Sequence, residues 1–290
     1  MKRVLVTGGS GFVGGRLVRR LIAEGMDPVV LRRADADLRD ASAVFDAVRR
    51  ARPEIVFHCA FSSGHPKNAV QRLESLASSV MGTAYLAEAA AEAGVERFIH
   101  LGSSMVYGAE ERAFRESDCM HPATSRGAAK ACAALWLRQY AGSTGFPAVE
   151  LRVFSVYGIG EGPHRFIPAL LRAAITGEVM RLVAGPRHDF IYVEDVVDAC
   201  LRVARVATPA GAVFNIGSGV SQTNEEVVEI ARNLTGRPIP IAETPYPSSP
   251  ADRAFWCADI SAAREHLAWT PRHSLPEGLA ETYDWMRQGG

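Results

Sequence analysis

No sign of charge prevails in this chain of 290 residues, in which 32 lysines and arginines meet 32 aspartates and glutamates. A surface that neutralises nucleic-acid phosphates or lies on an anionic membrane needs a basic excess or stripe, so neither partner is expected. Long apolar runs are also missing, and none approaches the roughly 18 residues of a membrane-spanning helix. The opening Met-Lys-Arg-Val-Leu-Val-Thr-Gly-Gly breaks into glycines too soon for a signal peptide. The five cysteines (Cys59, Cys119, Cys132, Cys200, Cys257) are scattered and include no C-x-x-C pair. They read as reduced thiols of a cytoplasmic protein, not as a disulfide framework or zinc site. The eight histidines show no H-E-x-x-H spacing, and no metal is expected.

What is present is alternation. Strand-like Arg3–Thr7, Pro28–Leu31, Glu54–Cys59, Arg97–Leu101 and Ala148–Val153 are separated by helical periodicity at Val13–Glu24, Ser42–Ala51, Val70–Ala93 and Arg126–Tyr140. Such a pattern predicts an α/β fold in which βαβ units build a parallel sheet covered on both faces. Between Leu31 and Ser42 there is too little chain for the strand usually third in such folds, which is expected to be reduced or missing. Beyond Tyr157 the texture changes, with a Gly-rich loop at 158–163 and a Pro- and Ser-rich stretch at 237–252.

Gly8, Gly11 and Gly14 recur every third residue at the first strand-to-helix turn. Without Cβ atoms the chain turns tightly, a pyrophosphate approaches the backbone, and the helix N-terminus offers it unpaired N–H groups. The alternative is an ordinary tight turn, but the N-terminal strand-turn-helix context favours a dinucleotide. The second strand ends at Leu31 with Arg32 and Arg33 behind it. Basic side chains there suit the 2′-phosphate of NADPH, where an acidic one would suit NAD; a solvated basic pair is the alternative.

Further motifs carry a resemblance. Ser103-Ser-Met-Val-Tyr107-Gly108, Leu151-Arg-Val-Phe-Ser-Val-Tyr157-Gly158, Asp189-Phe-Ile-Tyr-Val-Glu-Asp195, Phe214-Asn-Ile-Gly-Ser-Gly219 and the terminal Trp269-Thr-Pro resemble those of extended short-chain dehydrogenase/reductases. The resemblance implies a Rossmann-type doubly wound parallel sheet with a small C-terminal substrate domain. The dinucleotide-binding unit is expected at 1–157 with 190–220 returning to it, and the substrate side at 158–189 and 221–290. It implies a cofactor set of Gly8, Gly11, Phe12, Val13, Gly14, Arg32, Arg33, Asp37, Leu38, Ala60 and Lys130. Ser103 falls at the family's catalytic serine or threonine, and Lys130 at the lysine of its Tyr-x-x-x-Lys motif. The tyrosine position holds Arg126, which stays protonated and cannot exchange a proton as a phenol does.

Other departures cluster on the substrate side. Ser155, His188 and the neighbourhood of Ser249 stand where sugar-nucleotide members carry diphosphate-clasping groups, which Arg187 or Arg253 could replace. Ser104 and Met105 stand where the sugar dehydratases carry an acidic pair, which argues against dehydration. The expected activity is an NADPH-dependent ketoreductase in which Ser103, Lys130 and Arg126 give electrostatic support and the proton comes from substrate or water. A narrower resemblance, to tyrosine-lacking polyketide (angucyclinone) ketoreductases of antibiotic biosynthesis, implies an aromatic ketone substrate. The alternatives are a nucleotide-linked 4-keto-6-deoxysugar substrate, or a non-catalytic NADPH-binding sensor. A homodimer is a further expectation.

Overall fold

The computed structural model describes residues 2–61, 68–108, 110–245 and 255–289. Its strands are β1 (Val4–Thr7), β2 (Val29–Leu31), β3 (Ile55–His58), β4 (Arg97–Ser103), β5 (Ala148–Val153), β6 (Ser155–Tyr157), β7 (Arg187–Tyr192), β8 (Ala212–Ile216) and β9 (Ser221–Thr223). Its α-helices are α1 (Phe12–Ala23), α2 (Ala41–Ala51), α3 (Ala69–Leu76), α4 (Gly82–Glu92), α5 (Ser125–Thr144), α6 (Phe166–Thr176), α7 (Val193–Arg205), α8 (Asn224–Thr235), α9 (Ser261–Leu267) and α10 (Leu275–Arg287).

Six strands form one sheet in the order β2-β1-β3-β4-β5-β8, each pair parallel. Both faces of such a sheet are covered, so its inner strands are apolar along their whole length, and all four residues of β1 are buried. Helices α2, α4 and α5 pack on one face against Leu5, Val56 and Phe98. On the other, Leu17 and Leu21 of α1 and Val196 and Val197 of α7 meet Val6, Phe57 and Leu151. Each such aliphatic side chain, fully buried, contributes roughly 1.5–3 kcal/mol. The strand expected to be reduced is absent, because turns fill the stretch between β2 and α2. Helices α3 and α4 run on through a π-helical turn at Ala77–Met81, so the long helix anticipated over Val70–Ala93 is continuous but carries one bulge.

A second sheet, β6-β7-β9, carries its own core from α6, α8 and α10, with Leu170, Leu171, Val227, Val228 and Leu279 inside. Of the stretch at 190–220, α7 and β8 rejoin the large sheet. Residues 190–192 instead belong to the small one, since Phe190 pairs with Ser155 and Tyr192 with Tyr157. For the same reason β6, at 155–157, lies in the small sheet and not in the large one.

Two carboxylates of the Asp189–Asp195 motif tie these parts together. Asp189, fully buried, accepts N–H bonds from Ser218, Gly219 (3.0 Å) and Ala258 (3.0 Å). Asp195, 1% exposed, accepts from the backbone of Arg272 (2.9 Å) and His273 (3.1 Å) and meets the His273 ring at 3.0 Å. These bonds have no water to fall back on, so removing the acceptor strands several donors at once. Asp195→Ala should therefore lower the unfolding free energy by about 3 kcal/mol. Asp198→Ala, one turn on and paired with the more exposed Arg20 and Arg272, should cost no more than about 1 kcal/mol. Urea denaturation of both variants checks the contrast.

Candidate active site

The site lies at the C-terminal ends of β1, β3 and β4, where open α/β sheets hold their ligands. The chain turns at Gly8 with φ +68°, a left-handed conformation that side chains disfavour. A Cβ on Gly8 would sit 2.6 Å from the Ala60 backbone nitrogen, and one on Gly14 would strike the Gly8 carbonyl. Gly11 donates its N–H to the Gly8 carbonyl at 2.9 Å and stands at the N-cap of α1. It brings no capping side chain, and the first turn holds no acidic residue. The leading N–H groups are thus left for an external anion, and these residues fit the pyrophosphate of a dinucleotide. Phe12 and Val13, the first two helical residues, pack against the small-lobe core.

A hydrogen-bond chain fixes this cradle from beneath. Thr83 donates its hydroxyl to the Ser79 carbonyl (2.6 Å), so it accepts from Nε2–H of His58 at 3.0 Å. His58 Nδ1 then accepts the Thr7 hydroxyl at 2.7 Å, and Thr7 Oγ1 accepts the Ala60 N–H at 3.2 Å. Burial pushes His58 down to about 3, which keeps the ring neutral and preserves this order of donors. Sequence reasoning placed Ala60 at the cofactor but missed His58; the only signal was a histidine closing an apolar strand.

Arg32 and Arg33 emerge exposed from the end of β2, beside Thr7 of β1. Arg33 reaches Asp37 at 3.4 Å with its side chain 76% exposed. The Asp37 carboxylate is gripped by Arg39 Nε (3.0 Å) and Nη2 (2.6 Å), bonds that hold it well below the usual carboxylate range. Leu38 packs beneath Gly82, where a Cβ would lie 2.9 Å from the leucine's own.

Ser103 closes β4. Its Oγ accepts the Met105 N–H at 3.2 Å, which leaves its O–H to donate outward. Helix α5 presses close because Gly127 lacks the Cβ that would strike the Met105 carbonyl. One turn later Lys130 is buried, its Nζ donating to the Leu101 carbonyl at 2.9 Å. Arg126 is half-buried. Its guanidinium carbon and the Lys130 Nζ each lie 4.7 Å from the centroid of the Phe61 ring, a favourable cation–π arrangement. Arg126 Nε is buried with no partner among the described residues. Phe61, which holds the two cations together, was not anticipated.

Ser104 is buried under the turn that follows β4. Arg187, considered for the diphosphate, donates to the Ser221 carbonyl at 2.8 Å and reaches Glu226 at 3.4 Å. Ser249 and Arg253 lie outside the described residues. Among the described residues no cluster of histidine, cysteine and carboxylate side chains could hold a metal ion, and no helix is long and apolar enough to cross a membrane.

Residues 4–217 match the model of the NAD dependent epimerase/dehydratase family. The chain belongs to that family. A UDP-glucose 4-epimerase from Mycolicibacterium smegmatis is 29% identical over 315 residues, covering 98% of each chain. A dTDP-6-deoxy-L-talose 4-dehydrogenase from Kitasatospora kifunensis is also 29% identical, over 97% of this chain and 94% of that one. Among solved structures, MoeE5 in complex with UDP-glucuronic acid and NAD is 32% identical, with a TM-score of 0.90 and 99% of both chains covered. The UDP-glucose 4-epimerase of Thermotoga maritima, solved with UDP-glucose, is 26% identical with a TM-score of 0.88 and the same coverage. The family places this chain among oxidoreductase-type enzymes that use a nicotinamide dinucleotide. The narrower likeness to polyketide ketoreductases draws no support from these relatives.

The cradle makes a direct test. Gly8→Ala combines a strained φ with a clash against backbone that cannot yield, so reduced dinucleotide should no longer be retained. Fluorescence titration should give an affinity at least ~100-fold weaker, while Gly25→Ala, at a positive φ with open space around it, should leave binding unchanged.

Proposed function

We propose that this enzyme reduces a nucleotide-linked 4-keto-6-deoxysugar with NADPH, without a phenol at its centre. The observation that carries the reading is Arg126, one helical turn from Lys130 and against the same aromatic ring. Epimerisation and dehydration in this family both begin by oxidising an alcohol, which requires a base to take the hydroxyl proton. A guanidinium cannot accept one. Reduction asks for the opposite, positive charge and donors around an oxygen that becomes negative. The relatives support the substrate class, and the absence of an acidic pair at Ser104-Met105 weighs against dehydration.

Bound reduced nicotinamide would supply hydride to the carbonyl carbon. The chain's own groups do the rest. The hydroxyl of Ser103 donates to the carbonyl oxygen, Lys130 holds the nicotinamide ribose, and Arg126 faces the growing negative charge. A donor of this kind is worth about 10²–10³-fold in rate. The proton that completes the alcohol comes from water or from a substrate hydroxyl. NADPH is favoured over NADH because two exposed guanidinium groups follow directly on β2, while the Asp35 carboxylate behind them is engaged by the Arg32 N–H at 3.0 Å.

One observation keeps the polyketide ketone as a second reading. Arg187 is already engaged with Ser221 and Glu226, so it offers the diphosphate of a sugar nucleotide no idle cation. Tritium-labelled NADPH presented with a nucleotide-linked keto sugar and with an aromatic ketone flanked by a phenol separates the two. Label is expected in the sugar. Label only in the aromatic ketone would transfer the assignment, and cofactor binding without turnover of either would make the chain a sensor. Arg126→Met should lower kcat by about 100-fold with little change in cofactor affinity. In the double variant Arg32→Ser, Arg33→Ser, NADPH should bind at least ~10-fold more weakly while NADH affinity stays within about threefold.

A further inference from the structure

The face of the large sheet beneath α4 and α5 carries a buried polar row. Strand register sets Thr7 beside His58, His58 beside His100, and His100 beside Glu150, all between 1% and 5% exposed. Ionisable groups in the middle of a parallel sheet are costly unless partnered. Thr7 and His58 belong to the chain that braces the cradle; His100 and Glu150 do not. Glu150 Oε2 meets Arg152 Nε at 3.3 Å, and Arg152 also donates to the Tyr107 hydroxyl (2.8 Å) and the Glu116 carbonyl (3.2 Å). Glu150 Oε1 is buried without a hydrogen-bond partner. It occupies the space that a side chain at Gly102 would fill, 2.5 Å from the Cβ position. Lys130 Nζ bonds the Leu101 carbonyl, the oxygen of the peptide that joins Leu101 to Gly102. Carboxylate and ammonium therefore converge on one peptide unit at the end of β4.

We propose that Glu150 is the buried counter-ion of Lys130, a positioning residue that keeps the lysine charged and so able to grip the dinucleotide. The inference rests on the reading of Lys130 as the ribose-holding lysine and goes beyond it by naming what maintains its charge. The surrounding groups leave no other candidate. Toward Lys130 face His58 from β3, His100 from β4, Cys59 beyond β3, Arg126 from α5 and Glu150 from β5. Burial keeps both histidines neutral and pushes the Cys59 thiol up to about 12, while Arg126 opposes the lysine's charge. Burial brings Lys130 down to about 8, with Glu150 the foremost influence in the other direction. Glu150 itself is raised by burial and held back by Arg152, Lys130 and Arg138. A single carboxylate set among those three cations is expected to remain ionised.

Two measurements test this on the folded chain. Nζ resonances of isotope-labelled lysine, followed by NMR against pH without cofactor or substrate, report the charge on Lys130. Glu150→Gln should move its titration down by about one pH unit or more, and Glu150→Asp, with its charge a methylene further off, by an intermediate amount. Fluorescence titration of NADPH should then show binding to Glu150→Gln about twofold weaker at neutral pH and about tenfold weaker near pH 9, recovering as the pH falls. With the permanently charged Lys130→Arg, adding Glu150→Gln should make no further difference. An unchanged lysine titration in Glu150→Gln would overturn the proposal, as would a loss of affinity that does not vary with pH. Should Glu150→Gln fail to fold, an unchanged titration in Glu150→Asp overturns it equally. The NMR readout needs no keto sugar, so a failed substrate assignment leaves it intact.

Discussion

The structure depends on the contact between the turn after β1 and the chain leaving β3. Gly8 can lie against the Ala60 backbone only because it has no side chain and tolerates a left-handed φ. That closeness points the start of α1 at the site and lets Thr7 bond the Ala60 N–H. It also brings Phe61 under both Arg126 and Lys130. Neighbouring bonds hold the turn in place, from Ser79 on the long helix through Thr83 and His58 to Thr7. The same neutral imidazole that braces the cofactor cradle thus connects it to the interior of the large sheet.

Much of the fold was legible in the sequence because parallel sheets make simple demands. Continuous apolar runs such as Val4-Leu-Val and periodic stretches such as Val13–Glu24 leave few alternatives, and the short stretch after Leu31 announced the missing strand. What escaped was long-range pairing. Whether Phe190–Tyr192 joins the large sheet or a small one turns on its register with Ser155–Tyr157, which no local pattern encodes. The π-helical turn at Ala77–Met81 was equally silent, since its residues differ little from their helical neighbours.

The site divides along the same line. Gly8, Gly11 and Gly14 announced themselves by spacing, while Ser103, Lys130 and Arg126 came only from the family resemblance; Ser103 closes β4 and the two cations lie on α5. Phe61, His58 and Glu150 did not announce themselves, because each acts through residues distant in sequence. Glu150 left one trace, a charge inside the otherwise apolar Ala148–Val153 strand apart from its partner Arg152. Asp189 and Asp195 were read only as part of a family motif. They turn out to clamp the C-terminal segments to the two sheets, which explains acidic residues at positions with no part in the chemistry.

The outer edge of the large sheet has a consequence of another kind. A sheet that ends in an unpaired strand offers bare peptide groups to any neighbouring molecule, a route to aggregation. Of the two border strands, β2 is only three residues long and runs straight into two solvated guanidinium groups. So brief and so positively charged a rim is a poor template for intermolecular strand pairing. Arg32 and Arg33 therefore also serve as gatekeepers of colloidal stability, and any change at this spot carries a solubility constraint with it.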